Sequence, residues 1–242
     1  MQSSKVLSIL FCVIIWQLLA LVMNSELFPS FVDIVKNLSE QILHKDLIFH
    51  LLITLKRVFI SFVFAMVIGI VVGIWMGLFC KNDSVFNILL IIALNIPAIV
   101  TIMLCYIWFG LSDFAAILAV VINKVPIIVV NIKEGVKAVD KKYIDLVKIY
   151  NIDKKDVLKK IYLPQIYPYI MATTRLTISL IWKIVLVVEF LGRSNGVGFK
   201  ISMFFQNFDV TSILSYSFAF ILVVLLVEML LNSIDKRVTR WR

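Results

Sequence analysis

Apolar segments long enough to cross a lipid bilayer recur along this chain, and they restrict its fold more than any other feature. An α-helix rises 1.5 Å per residue, so about 20 apolar residues span the roughly 30 Å hydrocarbon core. Of the 242 residues, 62% are hydrophobic and only 16% are charged, which lies outside the range of soluble domains. We therefore expect an all-α integral membrane protein with about six transmembrane helices, at residues 6–23, 49–79, 85–109, 114–132, 168–191 and 211–231.

The distribution of basic residues predicts the orientation of these helices. Lysine and arginine accumulate on the cytoplasmic side of multi-pass membrane proteins, which explains the net charge of +9 without any nucleic acid. With the amino terminus inside, the cytoplasmic segments hold 15 of the 24 basic residues: Lys5, Lys81, nine lysines between Lys133 and Lys160, and four residues after Asn232. The opposite side holds Lys36, Lys45, Arg193 and Lys200. This asymmetry predicts that both termini are cytoplasmic.

Residues that carry catalysis or bind metals are sparse. The two histidines, His44 and His50, are six positions apart, and the cysteines form no CxxC pair. Serine and threonine are scattered without a neighbouring base. We therefore expect no catalytic, metal or cofactor site on this chain.

A polar insert at about residues 133–165 separates the fourth and fifth apolar segments. One helical face is predicted by the i, i+3, i+4, i+7 spacing of Tyr143, Leu146, Val147 and Tyr150. Asn151 can end that helix, Asp153 can cap a second one, and Leu163-Pro164 is predicted to end the second. The residues alone allow two interpretations: a docking element for a soluble partner, or a loop that packs on the underside of the bundle.

The insert resembles the cytoplasmic EAA motif in inner-membrane permeases of bacterial ABC importers, whose consensus is roughly E-A-A-x-x-x-G followed by I-x-L-P. Asp145-Leu146-Val147 stands in place of E-A-A, with bulkier side chains than the two alanines. Asn151 stands in place of the glycine, and both residue types accept positive φ. Residues 161–164 match the ending in register. The resemblance implies a set of ATPase-coupling residues: Tyr143, Asp145, Leu146, Val147, Tyr150, Asn151, Leu163 and Pro164.

Three further segments resemble the same family in the same order, over nearly the whole chain. Residues 50–77 resemble its second helix, where an S/T-x-x-R pattern precedes a glycine-spaced apolar run. Residues 96–111 resemble its I-P-x-x-x-x-x-P-L-x-x-x-W-F-G segment, with Met103 in place of the second proline. Residues 188–199 resemble its A-E-x-L-G-x-x-x-G-L-G segment. The resemblance points to the branch that includes sulfonate, taurine, nitrate and thiamine-precursor importers.

This resemblance implies the fold of a type I ABC importer permease, with one transmembrane domain over residues 1–242. In such importers two permease copies form the pathway, and each binds a separate cytoplasmic ATPase. A homodimer and an extracytoplasmic solute-binding protein are therefore expected. The chain contains no GxxxxGK[ST] phosphate-binding loop, so ATP is expected on a partner subunit. The expected function is alternating-access transport of a small polar or anionic solute, such as a sulfonate, nitrate or thiamine precursor.

Two other functions stay open on the residues alone. A secondary transporter driven by an ion gradient would be expected to contain an inverted repeat, and none is visible in the sequence. A membrane scaffold that recruits a soluble enzyme would explain the insert but not the charges within the apolar segments.

The candidate translocation pathway consists of residues that are unfavourable inside a membrane helix: Pro97, Lys124, Lys183 and Glu189. A charge at the centre of a membrane helix costs roughly 2.5–3.5 kcal/mol on insertion scales. If Lys124 and Lys183 both point inward, they form a positive pocket for an anionic solute. Alternatively, each pairs with Glu189, with Asp113 or with backbone carbonyl groups, and never meets substrate. For Glu189 itself, a gate and a structural role at the helix end are both open.

Three glycines of the second apolar segment, Gly69, Gly73 and Gly77, are spaced four residues apart. This spacing gives a smooth helix face that another helix can approach closely. The face is predicted to be a packing seam within one subunit, and the alternatives are a dimer face or a gate face.

Overall fold

The part of the chain that the structure describes is built from helices joined by short turns. The computed structural model describes residues 2–23, 25, 27–44, 46–80, 84–140, 142–143 and 153–238. The helices are α1 (Gln2–Met23), α2 (Phe31–His44), α3 (Leu47–Phe79), α4 (Ser84–Asn95), α5 (Ala98–Phe109), α6 (Asp113–Lys137), α7 (Lys154–Val157), a π-helical turn (Leu158–Tyr162), α8 (Leu163–Gly192), α9 (Val197–Gln206) and α10 (Val210–Val238). The predicted all-α class is confirmed.

Three of these helices are long and apolar enough to cross a membrane: α3, α6 and residues Val210–Leu230 of α10. The pair α4 and α5 becomes a fourth candidate if the two helices are counted as one broken span. The apolar part of α1, Leu10–Met23, is shorter, and α8 carries three charged residues within its length. Among the described residues the membrane character is therefore confirmed, whereas the number of six spans is not.

Contacts divide the chain into two compact units. The first unit combines residues Met1–Leu55 with Glu189–Arg242, and the second unit is Lys56–Val188. The long helices α3 and α8 each contribute residues to both units, because each passes a unit boundary within its length.

In the second unit, the glycines of α3 form a close seam with α6. A methyl group built at Gly69, Gly73 or Gly77 would lie 2.5–2.7 Å from a side-chain carbon of Ile128, Ile132 or Val136, respectively. Both sets repeat every four residues, so each glycine faces one β-branched residue of α6. This confirms the prediction that the glycine face packs within one subunit.

The seam belongs to a three-helix contact. Met76 of α3 and Cys80, which directly follows α3, are buried with Val129 of α6, and Phe86 and Leu90 of α4 pack against them. The α6 helix also continues to Lys137, four residues beyond the start of the predicted polar insert at Lys133. Lys133 is buried, and its ammonium group donates to the Asn87 side-chain oxygen of α4. The polar insert therefore leaves α6 later than its composition indicates.

The predicted break at Pro97 is confirmed. Helix α4 ends at Asn95, α5 begins at Ala98, and the two helices are bent by 89° at this point. Proline has no N–H, so the helical hydrogen-bond pattern cannot continue through it. Pro126, in contrast, lies buried inside α6 without ending it.

In the first unit, α2 packs against α10 through polar contacts. The Ser215 hydroxyl lies 3.0 Å from the Ile34 carbonyl oxygen, to which it can donate. The side-chain amides of Asn37 and Gln41 donate to the Ser212 hydroxyl at 3.4 and 3.5 Å. These contacts fix α2, which the sequence predicts as an amphipathic helix, along α10.

The segment from Gly192 to Asp209, which connects the fifth and sixth predicted spans, is more helical than its glycine, serine and asparagine content indicates. It contains the helix α9, which packs on α10 through the Phe204 ring, 5.2 Å from the ring of Tyr216. Its glycine-rich start belongs to a tight turn at Gly196, where φ is +107°. Residues that carry a side chain rarely adopt such a φ, which accounts for glycine at this position.

Candidate functional site

Part of the predicted coupling segment lies outside the described residues, namely Asp145, Leu146, Val147, Tyr150 and Asn151. Tyr143 is described and half-exposed. The backbone N–H of Asp140, three residues before it, donates to the Gln165 side-chain oxygen at 3.2 Å. The two ends of the insert are therefore joined where it leaves α6 and enters α8.

The second half of the insert is helical and passes directly into α8. We expect Leu163-Pro164 to end this helix from its sequence, and the structure corrects that expectation. A π-helical turn precedes the proline, and the Leu163 N–H donates to the Leu158 carbonyl oxygen five residues earlier. A π-turn widens the helix locally, so it can accept a proline that lacks an N–H and would otherwise clash with the preceding turn.

One side of this segment is anchored, and the other is open. Tyr162 and Ile166 are buried against Val136 and Val139 at the end of α6. Burial raises the pKa of the Tyr162 phenol. Leu163, between them, is exposed. The segment therefore packs on the underside of α6 and presents an open face at the same time, so the two interpretations of the insert are compatible.

The four predicted pathway residues lie in different surroundings. Pro97 is exposed at the α4–α5 bend, Lys124 is half-buried on α6, and Lys183 is exposed on α8. Neither lysine forms an ion pair with any residue in the part of the chain that the structure describes. A pathway role for these three residues stays a prediction.

Glu189 is fully buried and is the centre of a hydrogen-bonded cluster in the first unit. Its Oε2 atom accepts from the Thr54 hydroxyl at 2.8 Å and from the Gly198 N–H at 3.0 Å. The Val197 N–H donates to the Thr54 Oγ1 atom at 2.9 Å, and the Gly196 N–H donates to the His50 Nδ1 atom at 2.9 Å. The cluster satisfies the first N–H groups around the start of α9.

This geometry gives Glu189 a structural role at the N-terminal end of α9. The N-terminus of a helix carries partial positive charge and unpaired N–H groups, so a carboxylate there is stabilised. A Cβ atom at Gly196 would collide with the Glu189 carboxyl group, which explains the close approach of the two segments. The arrangement matches the structural alternative for Glu189, and its gate role stays a prediction.

Sequence reasoning missed Thr54 and His50, which are both buried in this cluster. The available signal was the S/T-x-x-R pattern, since Thr54 and Arg57 are its two defined positions. Arg57 itself is 3% exposed. Its Nε and Nη2 atoms donate to the Asp113 Oδ1 atom at 2.9 and 2.6 Å, which pairs α3 with the start of α6.

A cavity of about 820 Å³ lies in the first unit. Its walls include Gln17 of α1, Asp33 of α2, and Asp209 with Phe208 just before α10. Asp33 and Asp209 accept from Ser30 and from the Ser212 N–H, respectively. None of the predicted pathway residues lines this cavity, so it is a separate feature of the fold.

The chain belongs to the family described as the binding-protein-dependent transport system inner membrane component, whose sequence pattern matches residues 65–241. The match covers the α4–α5 bend, the whole insert, and the Glu189 segment. The chain is therefore a membrane-embedded permease component of an ABC-type importer, and the family is one of transport proteins rather than enzymes.

Two relatives and one solved structure illustrate the similarity. The chain is 24% identical over 230 residues to the putative aliphatic sulfonates transport permease SsuC of Bacillus subtilis (strain 168), covering 94% of this chain and 83% of that protein. It is 23% identical over 197 residues to the nitrate import permease NrtB of Synechococcus elongatus, covering 77% and 71%. An inward-facing structure of the MetNI methionine ABC transporter shares the fold, with a TM-score of 0.70 at 18% identity over 80% of this chain and 96% of that one.

Proposed function

We propose that two copies of this chain form the alternating-access pathway of an ATP-driven importer for a small oxyanion, such as a sulfonate or nitrate. Each copy binds a separate cytoplasmic ATPase through the insert at residues 133–165, and ATP is bound by that subunit. An extracytoplasmic binding protein delivers the solute, and both termini lie in the cytoplasm. Lys124, Lys183, Pro97 and Glu189 are the candidate residues of the pathway.

The observation that carries this proposal is the continuity between the insert and α8. The exposed residues Leu163 and Pro164 lie in the first turn of a helix of 30 residues, which is about 45 Å long by helical rise. A partner that binds the insert therefore moves a long helix as one rigid body. Rigid-body movement of this kind is a common form of conformational switching.

The substrate class is supported by the two relatives and by charge. Aliphatic sulfonates and nitrate, which their names give as cargo, are both small oxyanions. Lysines such as Lys124 and Lys183 within membrane segments are unfavourable unless they face protein or water. An anionic solute gives them a function.

A crosslinking experiment tests the coupling role of the insert. The permease is expressed together with the proposed ATPase and binding protein, and Asn151→Cys is expected to crosslink to the ATPase. Asn207→Cys is the matched control, because Asn207 is exposed and lies on the opposite predicted side of the membrane. It is expected to give no such product.

Uptake measurements complete the test. ATP-dependent uptake of ethanesulfonate and of nitrate is measured in cells that carry the three components. Asn151→Pro is expected to abolish uptake at unchanged expression, because proline would distort the predicted turn between the two predicted insert helices. Normal uptake by the proline variant would contradict a coupling role for the insert.

A further inference from the structure

One face of α8 carries two basic residues and a hydroxyl at regular spacing. Arg175, Ser179 and Lys183 are four residues apart, so they lie on the same side of the helix. By helical rise, Arg175 and Lys183 are about 12 Å apart along the axis. Arg175 and Lys183 are exposed, and Ser179 is half-buried.

The opposite face of α8 is buried. Its buried side chains recur at positions 177, 178, 181, 182, 184, 185 and 188. The Val188 carbonyl oxygen accepts a hydrogen bond of 2.8 Å from the Tyr106 hydroxyl of α5, which helps to hold the helix in this rotation. The basic face therefore lies opposite the buried side of α8.

Neither cation can easily reach a headgroup layer. The predicted apolar segment is 168–191, so by helical rise Arg175 is about 10 Å from its nearer end and Lys183 is about 12 Å from its nearer end. A lipid-facing cation at such depth is disfavoured. Lys183 forms no ion pair among the described residues, so the face that carries it favours contact with water or another polar partner.

We propose that Arg175, Ser179 and Lys183 form an anion-binding face of the translocation pathway. An arginine fork matches the geometry of an oxyanion with two parallel donors, a serine hydroxyl adds a third donor, and a lysine adds a point charge. The face selects a sulfonate- or nitrate-like solute over a cation. This inference rests on the proposed importer function, because that function places α8 beside the pathway.

The test measures charge-selective access to the middle of this face. Cys12, Cys80 and Cys105 are replaced by alanine, and Ser179→Cys is introduced into the assembled transporter in membranes. Its reaction rates with an anionic sulfonatoethyl and a cationic trimethylammonioethyl methanethiosulfonate are compared with those of a free thiol. After that correction, the anionic reagent is expected to react about tenfold faster, because two nearby cations attract it.

Two variants make the result specific. Lys183→Gln is expected to reduce the preference several-fold, whereas Lys183→Arg keeps the charge and the preference. Leu222→Cys, an exposed apolar position of α10 expected to face lipid, is expected to react with neither reagent. An unreactive Ser179→Cys, or a preference that Lys183→Gln leaves unchanged, would overturn the proposal.

The labelling result is independent of import. A charge preference at Ser179→Cys without ATP-dependent uptake of ethanesulfonate or nitrate would refute the proposed substrate and retain the anion-binding face. Uptake without a charge preference would refute the face and retain the importer function.

Discussion

The Thr54 hydroxyl acts as a hydrogen-bond acceptor and a hydrogen-bond donor at the same time. Its oxygen accepts from the Val197 N–H, while its proton lies between two acceptors, the Glu189 carboxylate at 2.8 Å and the His50 carbonyl at 3.0 Å. The residue is fully buried, so no water replaces a lost bond there. An unpaired polar group in such a place costs about 1–3 kcal/mol, more if it is charged.

Removal of the Thr54 hydroxyl is expected to destabilise the protein. Thr54→Val keeps the shape of the side chain and removes the hydroxyl, so the Val197 N–H and the Glu189 carboxylate each lose a partner. We expect the purified protein in detergent to lose about 1–3 kcal/mol of stability, seen as a lower Tm. Thr54→Ser retains the hydroxyl and serves as the control. Equal Tm values for the valine and serine variants would contradict the role of the hydrogen bonds.

The residues of this cluster show what the sequence could not predict. Glu189 is recognisable because a carboxylate is rare within an apolar segment. His50 and Thr54 are ordinary residues near a helix start, and their partners Gly196 and Glu189 lie 146 and 135 positions away. Spacing rules describe neighbours along one helix, so contacts of this range leave no periodic signal in a single chain.

At the scale of the elements, the glycine seam sets the distance between α3 and α6. Each glycine removes a side chain where a β-branched residue of α6 approaches, and the three contacts follow the same four-residue repeat. Small residues at such positions allow two backbones to come close, which increases the van der Waals contact between membrane helices.

A double substitution tests this seam. Gly73→Ala places a methyl group 2.7 Å from Ile132 Cβ, so we expect overpacking to destabilise the protein by about 1–3 kcal/mol. Ile132→Ala alone leaves a cavity, which typically costs about 2–5 kcal/mol. The double variant should be more stable than the sum of the two losses, as measured by thermal unfolding in detergent. Additive losses would show that the two side chains do not meet.

The elements differ in how well their sequences predict them. Long apolar runs give α3, α6 and α10 directly, and Pro97 gives the bend between α4 and α5. Helix α9 was missed because its ten residues follow a glycine- and serine-containing turn and resemble a loop. The end predicted at Leu163-Pro164 was wrong because a π-turn accommodates the proline, and no simple sequence rule predicts that turn.

At the scale of the whole molecule, family membership and composition agree on a membrane permease. The family pattern covers residues 65–241, which include both the insert and the Glu189 cluster's carboxylate. The partners of the chain depend on how it assembles in the membrane.

We expect this chain to assemble as a homodimer. Co-expression of a tagged and an untagged copy should recover the untagged copy on affinity purification, and native mass spectrometry should show two chains of 27.7 kDa in the complex. The physical reason is that the basic residues of α8 lie opposite its buried side, where a second copy can cover them. A complex with one copy beside a different permease chain would contradict a homodimer.

The right angle at Pro97 has a consequence for the bilayer itself. Where a helix ends and the chain turns, the last carbonyl groups have no backbone N–H donors from their own helix. Lipid tails donate no hydrogen bonds, so unpaired carbonyl groups at this bend are not stable among them. The lipid around this bend is therefore displaced, either by water that penetrates from one leaflet or by hydrogen-bond donors of a neighbouring polypeptide.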